Sequence, residues 1–159
     1  MTIDIRFGAL RDAALITKLI GELARYEKLE HELRADEAKI AKALFGKRPY
    51  AETLIAEDDG EPVGFALFFH SFSTFLAQPG IYLEDLFVKP EARGRGVGRL
   101  LLERLAKIAV ERDCGRLEWA VLNWNKDAIR FYERLGAKPN SEWTVYRLAG
   151  ESLRALAGQ

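Results

Sequence analysis

The sequence predicts a mixed α/β fold of the α+β kind, with a central, mostly antiparallel sheet flanked by helices. Three observations carry this expectation. Segments of two-residue hydrophobic period alternate with segments of helical period in the order β-α-α-β-β-β-α-β-α-β. The first strands after the opening helices are joined by Asp58-Asp59-Gly60-Glu61, a hairpin signal that makes neighbours antiparallel. Helices fall between and after the strands without strict βαβ alternation, which excludes a doubly wound sheet.

The elements follow in order. Ile3, Ile5 and Phe7 alternate with polar residues and predict a first strand. From about Asp12, the apolar residues Ile16, Leu19, Ile20 and Leu23 share one face of an amphipathic helix. Asp36 stands where an N-cap precedes a second helix carrying Ile40 and Leu44, ended by Gly46 and Pro49. Strands are predicted at Thr53 to Glu57 and Pro62 to Phe69, a loop at Ser71 to Gly80, and a strand at Ile81 to Val88 stopped by Pro90. A long helix is predicted from Gly96 to Arg112, with Leu100, Leu101, Leu105, Ile108 and Ala109 facing inward. A strand at Leu117 to Leu122, a helix at Lys126 to Leu135 closed by Gly136, and a strand at Trp143 to Leu148 follow. The tail from Glu151 to Leu156 suits one or two helical turns. Phe65, Phe68, Phe69, Phe72 and Phe75 read as core and loop packing.

Composition narrows the function. The 159 residues suit one domain spanning 1–159, and 48% hydrophobic with 30% charged residues is the balance of a globular chain. Lys plus Arg equals Asp plus Glu at 24 each, so the charge surplus that nucleic acid or an anionic membrane demands is missing. The longest apolar run, Val63 to Phe69, is far short of the about 20 residues of a membrane-spanning helix. The first residues lack the basic start and apolar stretch of a signal peptide, and a single cysteine, Cys114, fits a reducing compartment. The expectation is a cytoplasmic protein. Cys114 has no neighbouring histidine to activate it, and with His31 and His70 it makes no metal-ligand spacing, so no metal is expected.

The most informative stretch is Leu86-Phe87-Val88-Lys89-Pro90-Glu91-Ala92-Arg93-Gly94-Arg95-Gly96-Val97-Gly98-Arg99, where a hydrophobic strand runs through a glycine loop into a helix. Glycines admit a ligand close to the backbone, and the helix start offers free N–H groups and the positive end of its dipole, together a phosphate site. Arg93, Arg95 and Arg99 add guanidinium groups. The loop is not a Walker A motif, because Arg99 and Leu100 follow Gly98. Nor is it a Rossmann fingerprint, because Arg99 occupies the third glycine position.

The spacing Arg93-x-x-Gly96-x-Gly98 after Glu84-Asp85-Leu86-Phe87-Val88 resembles the acetyl-CoA-binding motif of the GNAT superfamily of N-acetyltransferases. The block from Asn123 to Ala137 resembles the strand-helix segment that follows it in that family. The similarity covers about residues 3 to 150 and is closest to the diamine (spermidine/spermine) and thialysine acetyltransferase branch, through Tyr82 to Val88 and Glu22-Leu23-Ala24-Arg25-Tyr26-Glu27. It implies the GNAT acyl-CoA N-acyltransferase fold, acetyl-CoA as cosubstrate and a homodimer. It further implies that Gly94, Arg95, Gly96, Val97, Gly98 and Arg99 cradle the pyrophosphate together with Arg93. Leu86, Phe87 and Val88 would line the pantetheine arm, and Asn125, Lys126, Asp127 and Ala128 would flank the cofactor. Tyr132 would stand near the thioester sulfur, and Tyr26, Glu27 and Glu84 would meet the amine; Asp85, next to Glu84 on the same strand, is added to these as a substrate-binding candidate. Thr144 and Asn123 stand where polyamine-acting members have acidic residues, which weakens the case for a long, highly charged polyamine.

Acetyl transfer to an amine requires a neutral amine, a stabilised oxyanion and a protonated leaving thiolate. An alkyl ammonium has a pKa near 10.4, so freeing its lone pair at pH 7 costs roughly 4–5 kcal/mol. Glu84 is the candidate base, directly or through water, with Asp85 in reserve; along a regular strand only one of the two faces the acceptor unless a bulge intervenes. Tyr132 is the candidate acid, its phenol being not far in pKa from a thiol. The expected activity is N-acetylation of a diamine, polyamine or lysine-like amino acid by direct attack in a ternary complex. A peptide or protein amine as acceptor, and a non-catalytic acyl-CoA-binding module, are the alternatives. Charge is unevenly placed: Glu22 to Glu37 has six acidic and three basic residues, whereas Lys89 to Arg112 has seven basic and three acidic. The one patch suits a cationic acceptor, the other an anionic cofactor.

Overall fold

β1 (Ile3–Phe7) runs antiparallel to β2 (Glu52–Asp58), which is followed by β3 (Glu61–Ser73) and β4 (Gln78–Val88), each antiparallel to the last. β5 (Leu117–Trp119) closes the sheet parallel to β4, giving the order β1-β2-β3-β4-β5. The computed structural model describes residues 2–159, in two compact units, one ending at Ala120 and the other spanning Val121–Gln159.

In the first unit the hairpin between β2 and β3 turns on Asp59 and Gly60, both at positive φ (50° and 85°). That is the type I′ geometry, whose twist matches the flanking strands. α1 (Ala13–Tyr26) and α2 (Glu37–Phe45) precede it. Asp36 caps α2 as expected, its carboxylate accepting the Lys39 N–H at 2.8 Å. Ile16, Leu19 and Leu23 of α1 and Leu44 of α2 pack on Ile55, Phe65, Leu67 and Phe87 of the sheet. Truncating any of these large residues to alanine would cost about 2–5 kcal/mol. α3 (Val97–Glu111) buries Leu101, Leu102, Leu105 and Ile108, while Leu100 is exposed, so Leu102 takes the inward position expected of Leu100.

The entry to α1 is fixed by charge. Asp12, only 5% exposed, receives two bonds from the Arg6 guanidinium (2.8 and 2.9 Å) and one from the Ala9 N–H (2.8 Å). Arg6 also pairs with Glu57 of β2. The Arg6 guanidinium holds the Asp12 carboxyl below the usual carboxylate range despite its burial.

Three expected elements are corrected. The segment from Ser71 to Gly80 is not a loop: β3 and β4 stay paired through His70–Ile81, Ser71–Gly80, Phe72–Pro79 and Ser73–Gln78. Only residues 74–77 turn, with Ala77 at φ 52° and the Ser73 hydroxyl accepting the Leu76 N–H at 3.2 Å. Turn-forming residues in the sequence masked the pairing. Phe72 and Phe75 lie exposed on this hairpin end, Phe75 at 99%, rather than packed. β5 stops at Trp119 instead of Leu122.

In the second unit, α4 (Lys126–Arg134) and α5 (Gly150–Leu156) are the regular elements. Gly136, at φ 91°, ends α4 with Ala137 N–H returning to the Tyr132 carbonyl at 3.2 Å. Trp143 to Leu148 forms no strand. Its apolar–polar alternation fits one, but a strand exists only with ladder partners, and the segment has none among the described residues. Val145 and Tyr146 are 90% and 92% exposed.

Candidate active site

The regular pairing of β3 with β4 breaks at one place. Leu67 stands opposite Asp85 and Phe68 opposite Leu83, so Glu84 is the extra residue of a β-bulge. Directly opposed residues share a face of the sheet. Asp85 therefore lies on the face of Leu67, which packs with α1. The bulge is the irregularity that lets neighbouring acidic residues act on one region.

The electrostatics show them doing so. Burial, then Glu84 and Glu27, push the Asp85 carboxyl up to about 7. Burial and Glu84 also raise Glu27, the residue after the end of α1. The Tyr82 phenol is raised by burial, with Glu84 and Glu118 adding to it, and its ring lies 5.3 Å from that of Phe69. Glu27, Glu84 and Asp85, three of the residues singled out in the sequence, thus form one coupled acidic cluster. Tyr82 beside it was not singled out; its place on the strand two residues before Glu84 was the signal. A carboxyl near neutrality is half-ionised at physiological pH, the condition of a general base.

Next to the cluster the sheet opens. Among the described residues the β4–β5 ladder ends at Leu83 and Trp119. Glu84 to Val88 thereby have a strand edge without a ladder partner on the β5 side, and Leu86, Phe87 and Val88 lie along it. Beyond Val88 a short 3-10 turn at Pro90–Ala92 leads into the glycine loop. Gly94 (φ 76°) and Gly96 (φ 81°) adopt the left-handed conformation that side chains disfavour, and a Cβ on either would meet nothing within 4 Å. The space over the loop is open. Gly96 is the N-cap of α3 and gives no side-chain cap, so the first-turn N–H groups remain available to an anion.

The three arginines of the loop are held by the protein itself. Arg95 pairs with Asp58 at 2.5 Å and Arg99 with Glu103 at 2.8 Å. Arg93 turns back: its Nε donates to the Val88 carbonyl at 2.8 Å, and its guanidinium lies 4.7 Å from the Tyr26 ring centre and 5.5 Å from that of Phe87. A cavity of about 300 Å³ opens there, lined by Glu22, Arg25, Tyr26, Phe87, Pro90 and Arg93. Tyr26 is thus at a cavity wall, next in sequence to Glu27.

In the second unit, Asn125 caps α4, its side-chain oxygen accepting the Ala128 N–H at 3.3 Å. Lys126, Asp127 and Ala128 form the first turn, and Asp127 pairs with Arg130. Tyr132 is half-buried on α4, its ring 5.6 Å from that of Phe131.

Known proteins share this organisation. A profile of the Acetyltransferase (GNAT) family matches residues 15–137. The thialysine N-epsilon-acetyltransferase of Bos taurus is 40% identical over 98% of this chain and 97% of its own. The L-ornithine N5-acetyltransferase of Arabidopsis thaliana is 32% identical over 96% of this chain and 86% of its own. An integron cassette protein from the mobile metagenome of V. cholerae superposes with a TM-score of 0.84 at 29% identity, over 100% of this chain and 99% of that one. The sheet that opens beyond Leu83, the glycine loop running into α3 and the full-length likeness to named N-acetyltransferases lead to one conclusion: this chain belongs to the acetyltransferase (GNAT) family.

Proposed function

We propose that the protein moves the acetyl group of acetyl-CoA to the terminal primary amine of a small molecule, a diamine, polyamine or lysine-like amino acid, by direct attack in a ternary complex. The observation that carries this reading is the acidic cluster of Glu27, Glu84 and Asp85 at the bulge, next to the open edge of β4. Such a cluster attracts an ammonium and accepts its proton. The named activities of the thialysine and ornithine relatives agree with it.

The residues present fit acetyl-CoA, which supplies the activated acetyl group as a thioester when bound. The first-turn amides of α3 and the backbone from Gly94 to Gly98 would hold its pyrophosphate, with Arg95 and Arg99 at the rim. The edge at Leu86, Phe87 and Val88, which has no ladder partner on the β5 side, would pair with its pantetheine amides as a further strand does, the Val88 carbonyl being already taken by the Arg93 Nε–H. Asn125, Lys126, Asp127 and Ala128 are proposed to flank it.

Asp85 is the base in this account and Glu84 and Glu27 hold the cation, which reverses the order expected of Glu84 and Asp85 from sequence. Magnitudes decide. Moving a proton from an ammonium near 10.4 to a carboxylate of ordinary pKa is uphill by about 9 kcal/mol, but to a group at about 7 by only about 5. Tyr132 donates a proton to the departing thiolate, a role taken from the family resemblance. A backbone N–H of the β4 edge meets the oxyanion.

We also propose a single catalytic domain, a cytoplasmic location and a homodimer that needs neither nucleic acid nor membrane. Among the described residues no helix is long and apolar enough to cross a membrane. The exposed, strand-patterned segment from Trp143 to Leu148 is the element proposed to pair with a second copy. The direct test of function is thiol release from acetyl-CoA with a panel of ornithine, thialysine, diamines, spermidine and short peptides. Release with the small amines supports the reading; release with peptides alone overturns it.

A further inference from the structure

Arg93, the first residue of the glycine motif, points away from the loop it opens. Its Nε donates to the Val88 carbonyl at 2.8 Å, and its guanidinium carbon lies 4.7 Å from the Tyr26 ring centre and 5.5 Å from that of Phe87. Both rings are within the about 6 Å over which a cation is drawn to an aromatic face. Phe87 is 4% exposed and packed in the core, whereas Tyr26 is 39% exposed on the last turn of α1. One guanidinium thus bridges a fixed ring of β4 and an exposed ring of α1.

The other two arginines of the loop differ in kind. Arg95 and Arg99 hold carboxylates, Asp58 and Glu103, which a bound phosphate can replace anion for anion. The partners of Arg93 are a carbonyl and two rings. To grip a pyrophosphate it would have to give up the Nε bond and leave both aromatic faces.

The end of α1 is a place that needs holding. The helix closes with the Leu29 N–H on the Ala24 carbonyl at 2.9 Å and the Lys28 N–H on the Arg25 carbonyl at 3.2 Å, a Schellman arrangement whose left-handed position is usually glycine. Lys28 occupies that position here at φ 62°, a conformation that side chains disfavour. Such a residue persists where the surrounding contacts fix it. Tyr26 and Glu27 immediately precede it, and Arg93 is a contact on Tyr26 from outside the helix.

We propose that Arg93 is a positioning residue for the acceptor side of the site. Its guanidinium ties Tyr26, and with it the end of α1 that carries Glu27, to the end of β4. A side chain of the glycine motif thereby governs amine binding rather than cofactor binding. The inference rests on the proposed amine acetylation, with Tyr26 and Glu27 meeting the amine, and moves to the acceptor side a residue that the family resemblance places on the cofactor.

The test uses R93Q, R93K and Y26L with acetyl-CoA and the small amine of the panel that the wild type uses best. R93Q keeps a side-chain N–H for the Val88 carbonyl and removes the cation, R93K keeps the cation, and Y26L keeps bulk while removing the aromatic face. R93Q is expected to raise the KM for the amine roughly two- to fivefold, the worth of an exposed cation–π contact, while the dissociation constant for CoA changes by less than about 1.5-fold. R93K is expected to restore the amine KM. In a Y26L background R93Q is expected to have no further effect, because the face it acts through is gone. KM and dissociation constants refer to the folded protein, so a variant that folds only in part does not mimic these results. An R93Q protein that loses CoA affinity and keeps its amine KM returns Arg93 to the pyrophosphate and overturns the proposal. The same rise in amine KM with and without the Tyr26 ring overturns it as well, while amine acetylation stands. Thiol release by the wild type with no small amine of the panel overturns the acetylation reading itself.

Discussion

Asp85 stands directly opposite Leu67 in the β3–β4 ladder, so a carboxyl group occupies a slot on the sheet face that α1 covers. The extra residue that produces this register is Glu84. Burial in that slot, with Glu84 and Glu27 nearby, explains why the carboxyl titrates near neutrality.

Asp85→Asn should lower kcat/KM for the amine by roughly 100-fold or more, the usual worth of a positioned base. In the wild type kcat/KM should rise with pH through about 7 as Asp85 ionises, and the variant should lose that limb. A retained limb near pH 7 assigns it to another group.

The same shift has a stability consequence of defined sign. The folded carboxyl holds its proton to about pH 7, whereas the unfolded one loses it near about pH 4. The folded state therefore binds the extra proton in between, and stability falls as pH rises across that window. Asp85→Asn should flatten this decline and stabilise the protein at pH 8, by up to about 4 kcal/mol if the full shift is realised. Urea denaturation at pH 5 and pH 8 measures it.

Asp12 behaves in the opposite sense. Its carboxyl is held down by Arg6, so its contribution is present above about pH 4 and is lost as pH falls through its lowered folded value. Asp12→Asn should cost roughly 2–3 kcal/mol at pH 7, somewhat below a fully broken buried pair because Arg6 keeps Glu57. Acetyl-CoA affinity should not change, and equilibrium denaturation with a binding titration separates the two.

Gly96→Ala places a side chain at φ 81°, which costs about 1–2 kcal/mol from conformation alone. Because the added Cβ meets no protein atom within 4 Å, any larger effect must come from the ligand. The expected result is a raised KM for acetyl-CoA with the KM for amine little moved; equal effects on both would place the cofactor elsewhere.

Tyr132→Phe removes the phenolic proton and keeps the ring packed beside Phe131. Turnover should drop by at least about 100-fold, with the dissociation constant for acetyl-CoA preserved. An unchanged kcat excludes Tyr132 as the acid.

Much of this was legible in the sequence where local chemistry decides. Asp36 capped its helix, Asp59-Gly60 made its turn and Gly136 ended α4, because each obeys rules confined to a few residues. The glycine loop was legible because left-handed backbone and an uncapped helix start both need glycine at Gly94 and Gly96. The bulge at Glu84 was not, since register is a property of two strands and no spacing along one of them encodes it. The long β3–β4 hairpin was hidden for the same reason: Pro79 and Gly80 read as a loop until their partners Phe72 and Ser71 are known. The reversed direction of Arg93, toward Tyr26 instead of the loop's open space, depends on a helix distant in the sequence.

The central claim is a base-assisted attack of a small terminal amine in a ternary complex. It is tested most directly by initial rates of thiol release with acetyl-CoA and the amine both varied. The account predicts release that requires the amine and double-reciprocal lines that intersect. Release without amine, or parallel lines indicating an acetylated enzyme, would contradict it.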